Sequence, residues 1–230
     1  MIPIRDTLRS RTFPVVNWLI IVLNVVVFLY EISLGDLALH RFVSTYGMVP
    51  ARLWHTPSTA WQSLFTSMFL HGGWFHLLSN MWVLYIFGDN VEDRMGSGRY
   101  LVFYLASGLV AGLVQAWMQP TSWVPTVGAS GAIAGVLGAY VLFYPRGRVF
   151  TMVPLIIFIT FIEVPAWIFL GVWFISQLYS GWMALLPGAA QTLGGVAWWA
   201  HIGGFVFGLL FARLFARRVH RVYSDEFYRW

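Results

Sequence analysis

Six apolar stretches punctuate this chain of 230 residues, at about 15–33, 72–88, 99–118, 130–144, 156–177 and 198–216. A helix of about 20 apolar residues crosses a hydrocarbon core about 30 Å thick, where every backbone N–H and C=O must be paired within the protein. A chain with so many such runs is restricted to a bundle of membrane helices. With 59% hydrophobic and 10% charged residues it lies far from the roughly 45–50% apolar content of soluble domains. The expected fold class is an all-α membrane protein with six transmembrane helices. No internal repeat or low-complexity tract interrupts it, so residues 1–230 read as a single membrane domain. The fourth stretch is too short to cross fully, which requires its helix to start inside the membrane. Around the fifth, 149–178 is predominantly apolar for about thirty residues but broken by Pro154 and Pro165. That length suits one span, preceded by an interfacial or extended piece.

All fourteen basic residues are arginine, and their placement sets the orientation. Arg5, Arg9 and Arg11 precede the first span, Arg94 and Arg99 separate the second and third, and Arg146 and Arg148 follow the fourth. Arg213, Arg217, Arg218, Arg221 and Arg229 close the chain. These twelve fall on one side and only Arg41 and Arg52 on the other, which predicts cytoplasmic termini and a retained signal anchor at the first span. The arginines sit at the ends of apolar runs and form no continuous basic patch, which argues against nucleic acid as a partner. Without cysteine there are no disulfides or thiolate ligands. The long first loop, 35–70, carries Phe42, Tyr46, Trp54, Trp61 and Phe65, a composition expected of short amphipathic helices in the outer leaflet. Loop five, around Trp182 to Pro187, is rich in small apolar residues and is expected to act as a mobile cover.

Two short motifs carry chemistry. Gly128-Ala129-Ser130-Gly131 places a hydroxyl at the start of the fourth span, and the sixth span carries His201 with Gly204 and Gly208 on one face. Serine becomes a nucleophile only beside a base, and neutral imidazole is well matched to that task near neutral pH. Gly131 and Gly135, like Gly204 and Gly208, permit close helix contact. Heights agree at about 1.5 Å per residue. Ser130 stands roughly 22 Å above the cytoplasmic end of its span, His201 about 18 Å and His76 about 20 Å, with Asn80 a turn lower. That level lies roughly 8–12 Å beneath the outer surface, where buried polar groups should face a wet cavity.

The stretch from Phe69 to Met81, with His71, His76 and Asn80, together with Gly128-Ala129-Ser130-Gly131-Ala132 and Ala200-His201-Ile202-Gly203-Gly204, resembles the motifs of the rhomboid intramembrane serine proteases. The order of the motifs and the six-span layout resemble the basic prokaryotic type. The resemblance implies that Ser130 is the nucleophile and His201 the general base. It also implies that His76, Asn80 and the Ser130 backbone N–H form the oxyanion hole. No acidic residue is placed to orient His201, so a Ser-His dyad is expected. Two positions depart from the family pattern. Trp61 is followed by Gln62 where many members have arginine, and Ala134 stands one turn after the serine where many have a tyrosine that packs on the histidine ring. Ring packing must therefore come from elsewhere.

These residues imply an endopeptidase that cleaves single-span membrane proteins near the outer face and needs no cofactor. The partners are the substrate helix and the lipid bilayer; the sequence carries no signal for an oligomeric state. A short N-terminus without a transit-type tract favours a prokaryotic inner membrane. The alternative is a non-catalytic rhomboid-like protein that binds transmembrane helices, against which the presence of both Ser130 and His201 argues. Other chemistries fit less well. His71, His76 and His201 lack the His-Glu-x-x-His of a zinc protease, and no metal is expected. The spans lack the aspartate pair of an aspartyl protease, and position 132 is alanine, which does not fit the G-x-S-x-G elbow. A transporter would need paired charges or a repeated half.

Overall fold

The computed structural model describes residues 1–154, 158–186 and 195–217. A strand β1 (Ile2–Asp6) precedes helix α1 (Val15–Ser33). Four short helices follow: α2 (Asp36–Tyr46), α3 (Pro50–His55), α4 (Pro57–Ala60) and α5 (Ser63–Thr66), continued by a 3-10 turn (Ser67–Phe69). Helices α6 (Trp74–Met95), α7 (Ser97–Met118) and α8 (Ser130–Phe143) come next. Strands β2 (Arg148–Pro154) and β3 (Ile159–Pro165), helix α9 (Ala166–Met183) and helix α10 (Trp198–Phe215) complete the described residues.

Helix α8 is the axis of the molecule. It is apolar on every face, and Gly131 to Tyr140 are all buried, as expected of a helix enclosed on all sides. Helices α6, α7, α9 and α10 pack around it. Its 14 residues extend about 21 Å, well short of a bilayer core. Among the described residues three helices, Val15–Ser33, Ser97–Met118 and Trp198–Phe215, are long and apolar enough by themselves to cross a membrane. Helix α6 continues past residue 88 to Met95, so its lower end carries Asp89, Asn90, Glu92, Asp93 and Arg94.

That polar end anchors the bundle. The Glu92 carboxylate is buried and accepts the backbone N–H groups of Val16 (3.1 Å) and Asn17 (2.7 Å) and the hydroxyl of Ser97 (2.6 Å). It thereby pairs donors that the first turn of α1 leaves open. Asn17 donates to the Leu84 carbonyl at 3.1 Å and accepts from the Tyr100 hydroxyl at 2.7 Å, tying α1, α6 and α7 together. The Arg217 N–H donates to the Arg94 carbonyl at 3.0 Å. The Asp6 carboxylate meets Asn90 (2.9 Å) and Tyr140 (2.6 Å). Residues near both ends of the described chain thus lie at one end of the bundle.

Two expectations need correction. The fold is mostly helical but not all-α, because β1, β2 and β3 form an antiparallel sheet in that order, with Ile2 opposite Met152 and Arg148 opposite Pro165. The fifth apolar stretch, expected as a span over 156–177, is strand over Ile159–Pro165 and helix over Ala166–Met183. The run Ile159–Pro165 is rich in β-branched residues, which favour the pleated conformation, and Pro165 sits immediately before α9, where its missing N–H costs nothing. The sheet joins the bundle through the Trp82 Nε1–H, which donates to the Pro3 carbonyl at 2.7 Å. Strand β1 rests on α6 while β2 and β3 rest on α9.

The first loop does form short helices. The Arg52 guanidinium fixes them by donating to the carbonyls of Ser44 (2.5 Å), Thr45 (3.1 Å) and Gly47 (2.8 Å) at the end of α2. Of the expected cover around residues 182–187, Trp182 and Met183 end α9 and residues 184–186 form a turn, while Pro187 lies outside the described residues.

Candidate active site

Ser130 is the first residue of α8, and the loop before it is held on both sides. Thr126 and Met48 exchange backbone hydrogen bonds of 2.8 and 3.0 Å, and the Gly128 N–H donates to the Ser67 carbonyl at 2.9 Å. Gly128 has φ +127°, which L side chains rarely adopt. A Cβ there would lie 2.7 Å from the His76 Nε2 atom and 3.6 Å from the Ser130 Oγ. The backbone at Gly128 therefore passes between the imidazole of α6 and the hydroxyl of α8. As the first helical residue, Ser130 has a backbone N–H without an intrahelical acceptor, and the positive end of the helix dipole lies beside its side chain.

His201 comes from the first turn of α10, and its Nε2 lies 2.8 Å from the Ser130 Oγ. The approach depends on glycine. A side chain at Gly204 would overlap the Gly131 carbonyl, and one at Gly208 would overlap the Gly135 carbonyl. Helices α8 and α10 therefore touch backbone to backbone along one stripe, which brings the hydroxyl and the imidazole within hydrogen-bonding reach. The aromatic neighbours of His201 are Trp173 and Trp198, with ring centroids at 6.0 and 6.2 Å. They occupy the packing role left open by Ala134.

His76 and Asn80 lie one turn apart on α6. The Gly72 N–H donates to the His76 Nδ1 at 3.3 Å, so the single proton of a neutral His76 belongs on Nε2, the ring nitrogen on the Gly128 side. Asn80 is buried, and its Nδ2 has no partner among the described residues. An unpaired buried amide donor usually costs about 1–3 kcal/mol, so a free donor here fits a group held ready for an incoming acceptor. His71 is buried against His76 at 5.1 Å between centroids, and its backbone N–H donates to the Glu31 carboxylate at 3.1 Å. A small cavity of about 30 Å³ adjoins Ser130 on its α7 side, lined in part by Ser67, Gly108, Thr126 and Ala200. The roomier hollow between Tyr30 and Tyr46 lies against α2 and includes neither Ser130 nor His201.

One contact involves a residue that no motif singles out. The His201 Nδ1 lies 2.7 Å from the Gln177 Oε1 on α9. Its signal in the sequence is weak but readable. Gln177 is the only amide side chain in the apolar run Ala166–Met183, and polar residues in such runs face the protein interior.

A family model described as Rhomboid domain matches residues 57–218, more than half of the chain. Rhomboid protease GluP of Bacillus subtilis is 36% identical over 127 residues, covering 55% of this chain and 24% of that protein. The chloroplastic Rhomboid-like protein 11 of Arabidopsis thaliana is 36% identical over 119 residues, covering 52% and 42%. The mitochondrial Rhomboid protein 1 of Saccharomyces cerevisiae is 27% identical over 163 residues, covering 69% and 43%. The matches thus span less than half the length of each of these relatives.

Proposed function

This chain belongs to the rhomboid family, and on that premise we propose that it is an intramembrane serine endopeptidase that cleaves single-span membrane proteins near the outer face. The observation that carries the reading is the 2.8 Å contact between the Ser130 Oγ and the His201 Nε2 at the start of a buried helix. In the proposed reaction the Ser130 Oγ attacks the scissile carbonyl carbon while His201 takes the hydroxyl proton. Negative charge gathers on the carbonyl oxygen, where the His76 Nε2–H, the Asn80 amide and the Ser130 backbone N–H donate to it. A preset donor of this kind is worth about 3–4 kcal/mol in a water-poor site. The C–N bond then breaks and His201 returns its proton to the departing amine. Water, deprotonated by the same imidazole, attacks the acyl-serine carbon; the C–Oγ bond breaks, His201 returns the proton to the Ser130 Oγ, and the product leaves as a carboxylic acid that ionises.

The multi-pass chain crosses the membrane six times in this reading, as a single domain with both termini cytoplasmic, in a prokaryotic inner membrane. The placement of the arginines and the polar lower end of α6 support that orientation. A substrate helix must unwind locally to offer a carbonyl, so segments with Gly, Pro or small residues are cut preferentially. The test is cleavage of a tagged single-span reporter in liposomes together with labelling by a fluorophosphonate. Wild type should cleave and label, and Ser130→Ala and His201→Ala should do neither. Folded wild-type protein that binds the reporter without cleaving or labelling would instead identify a non-catalytic binder.

A further inference from the structure

The contact between α9 and His201 goes beyond a two-residue site. The Gln177 side chain is buried, and its amide orientation follows from its surroundings. The Nε2 donates to the Trp173 carbonyl at 3.3 Å and lies 3.0 Å from the Ser176 Oγ, whose own proton is directed to that same carbonyl at 2.6 Å. Turning the amide over would set Oε1 against a carbonyl oxygen, two acceptors with no proton between them. The Oε1 therefore faces His201, 2.7 Å from Nδ1.

An amide oxygen only accepts, so the Nδ1 atom must carry the proton of the neutral ring. The Nε2 lone pair is then left facing the Ser130 hydroxyl at 2.8 Å, the tautomer that general-base catalysis requires. We propose that Gln177 is the positioning residue of His201, so that the site is a Ser130-His201-Gln177 triad assembled from α8, α10 and α9. The inference rests on the reading of Ser130 and His201 as nucleophile and base. A neutral orienting group suits this location, because a buried carboxylate with one hydrogen-bond partner carries a large desolvation cost, whereas an amide carries far less. It also ties the base to α9. Trp173, one turn before Gln177, packs on His201 and on Phe205, and Phe174 stacks on Phe205 at 4.5 Å. The helix that presents the acceptor thus also holds the ring of the base.

The test measures kcat and KM on a single-span reporter in liposomes across pH for the wild-type chain, Gln177→Leu and Gln177→Glu. In Gln177→Leu the Nδ1 proton has no acceptor and both tautomers are populated. We expect kcat to fall about 10–100-fold, part of the 10²–10⁴ that a general base contributes, with KM within about 2-fold of wild type. Gln177→Glu keeps the acceptor and should retain most of kcat at alkaline pH. Its negative charge favours protonated imidazole, so the acid limb of its pH–rate profile should move to higher pH. A Gln177→Leu variant with unchanged kcat overturns the assignment. If Gln177→Leu does not fold, Gln177→Glu decides: an acid limb that coincides with that of wild type overturns the proposal too. Failure of the parent reading is distinguishable, since there the wild type itself neither cleaves nor takes up fluorophosphonate in a Ser130-dependent manner.

Discussion

Gly128→Ala tests the arrangement of His76 and Ser130 with the smallest possible change. The added methyl would stand 2.7 Å from both the Cε1 and the Nε2 of His76, whereas ordinary contact begins at about 3.5 Å. The ring must therefore retreat by about 0.8 Å. The same methyl lies 3.6 Å from the Ser130 Oγ, an ordinary contact, so the serine is not displaced. The φ of +127° adds a backbone cost of about 1–3 kcal/mol. A donor moved by nearly 1 Å from where oxyanion charge develops is expected to lower kcat about 10²-fold, or 2.7 kcal/mol, with little change in KM. The assay is reporter cleavage in liposomes, in a double-mutant cycle with His76→Ala. If the methyl acts through the imidazole, it should cost little more once the imidazole is gone. A Gly128→Ala enzyme within 3-fold of wild type, or effects that multiply in the double variant, would refute the placement of His76 as a donor.

Three further outcomes follow from contacts elsewhere. Gly204→Val, which drives a side chain into the Gly131 carbonyl, should abolish cleavage and lower the unfolding temperature in detergent, whereas Gly171→Ala, with open space around it, should leave cleavage unchanged. Glu92→Ala removes the acceptor for two backbone donors and one hydroxyl, and should destabilise the protein by about 2–3 kcal/mol, read as a shift in unfolding midpoint. Burial raises the Asp6 carboxyl from 3.8 to about 7, outweighing the hydrogen bond from Tyr140. The neutral carboxyl is the form that the folded state prefers, so its contribution to stability is full below about pH 4 and is lost as pH rises to about 7. Thermal unfolding of wild type should weaken across that window relative to Asp6→Asn, and parallel pH curves for the two would count against the assignment.

How far the sequence discloses this molecule depends on whether a feature is local or distant along the chain. The starts of α1, α8 and α10 coincide with the apolar runs, because Pro14, the glycines around Ser130 and the polar-to-apolar change before Trp198 are local signals. The sheet is less visible. An apolar run bounded by prolines suits a strand or a buried helix equally well, and only the pairing of β1 with β2, about 145 residues apart, decides between them. The extension of α6 through Asp89 and Glu92 has the same origin. Hydropathy stops at the first carboxylate, but the helix continues because Glu92 is needed to pair the first turn of α1. The Ser130 and His201 motifs were legible individually. Their 2.8 Å contact is a property of two glycine stripes on different helices.

The same reasoning explains why Gln177 escapes a reading by motif. Its partner lies 24 residues away on another helix, and nothing adjacent to it in sequence marks it. A motif search for a catalytic triad looks for a carboxylate, because in the Ser-His-Asp arrangement a buried carboxylate accepts the Nδ1 proton and orients the imidazole. Within an apolar bundle the balance shifts. Desolvation penalises the charge, while the amide oxygen still selects the tautomer through hydrogen bonding alone. Inside an apolar bundle an isolated amide can therefore orient a neutral imidazole in place of an acid. In this chain the amide proposed for that role, Gln177, sits on α9 beside the proposed base, 2.7 Å from its Nδ1.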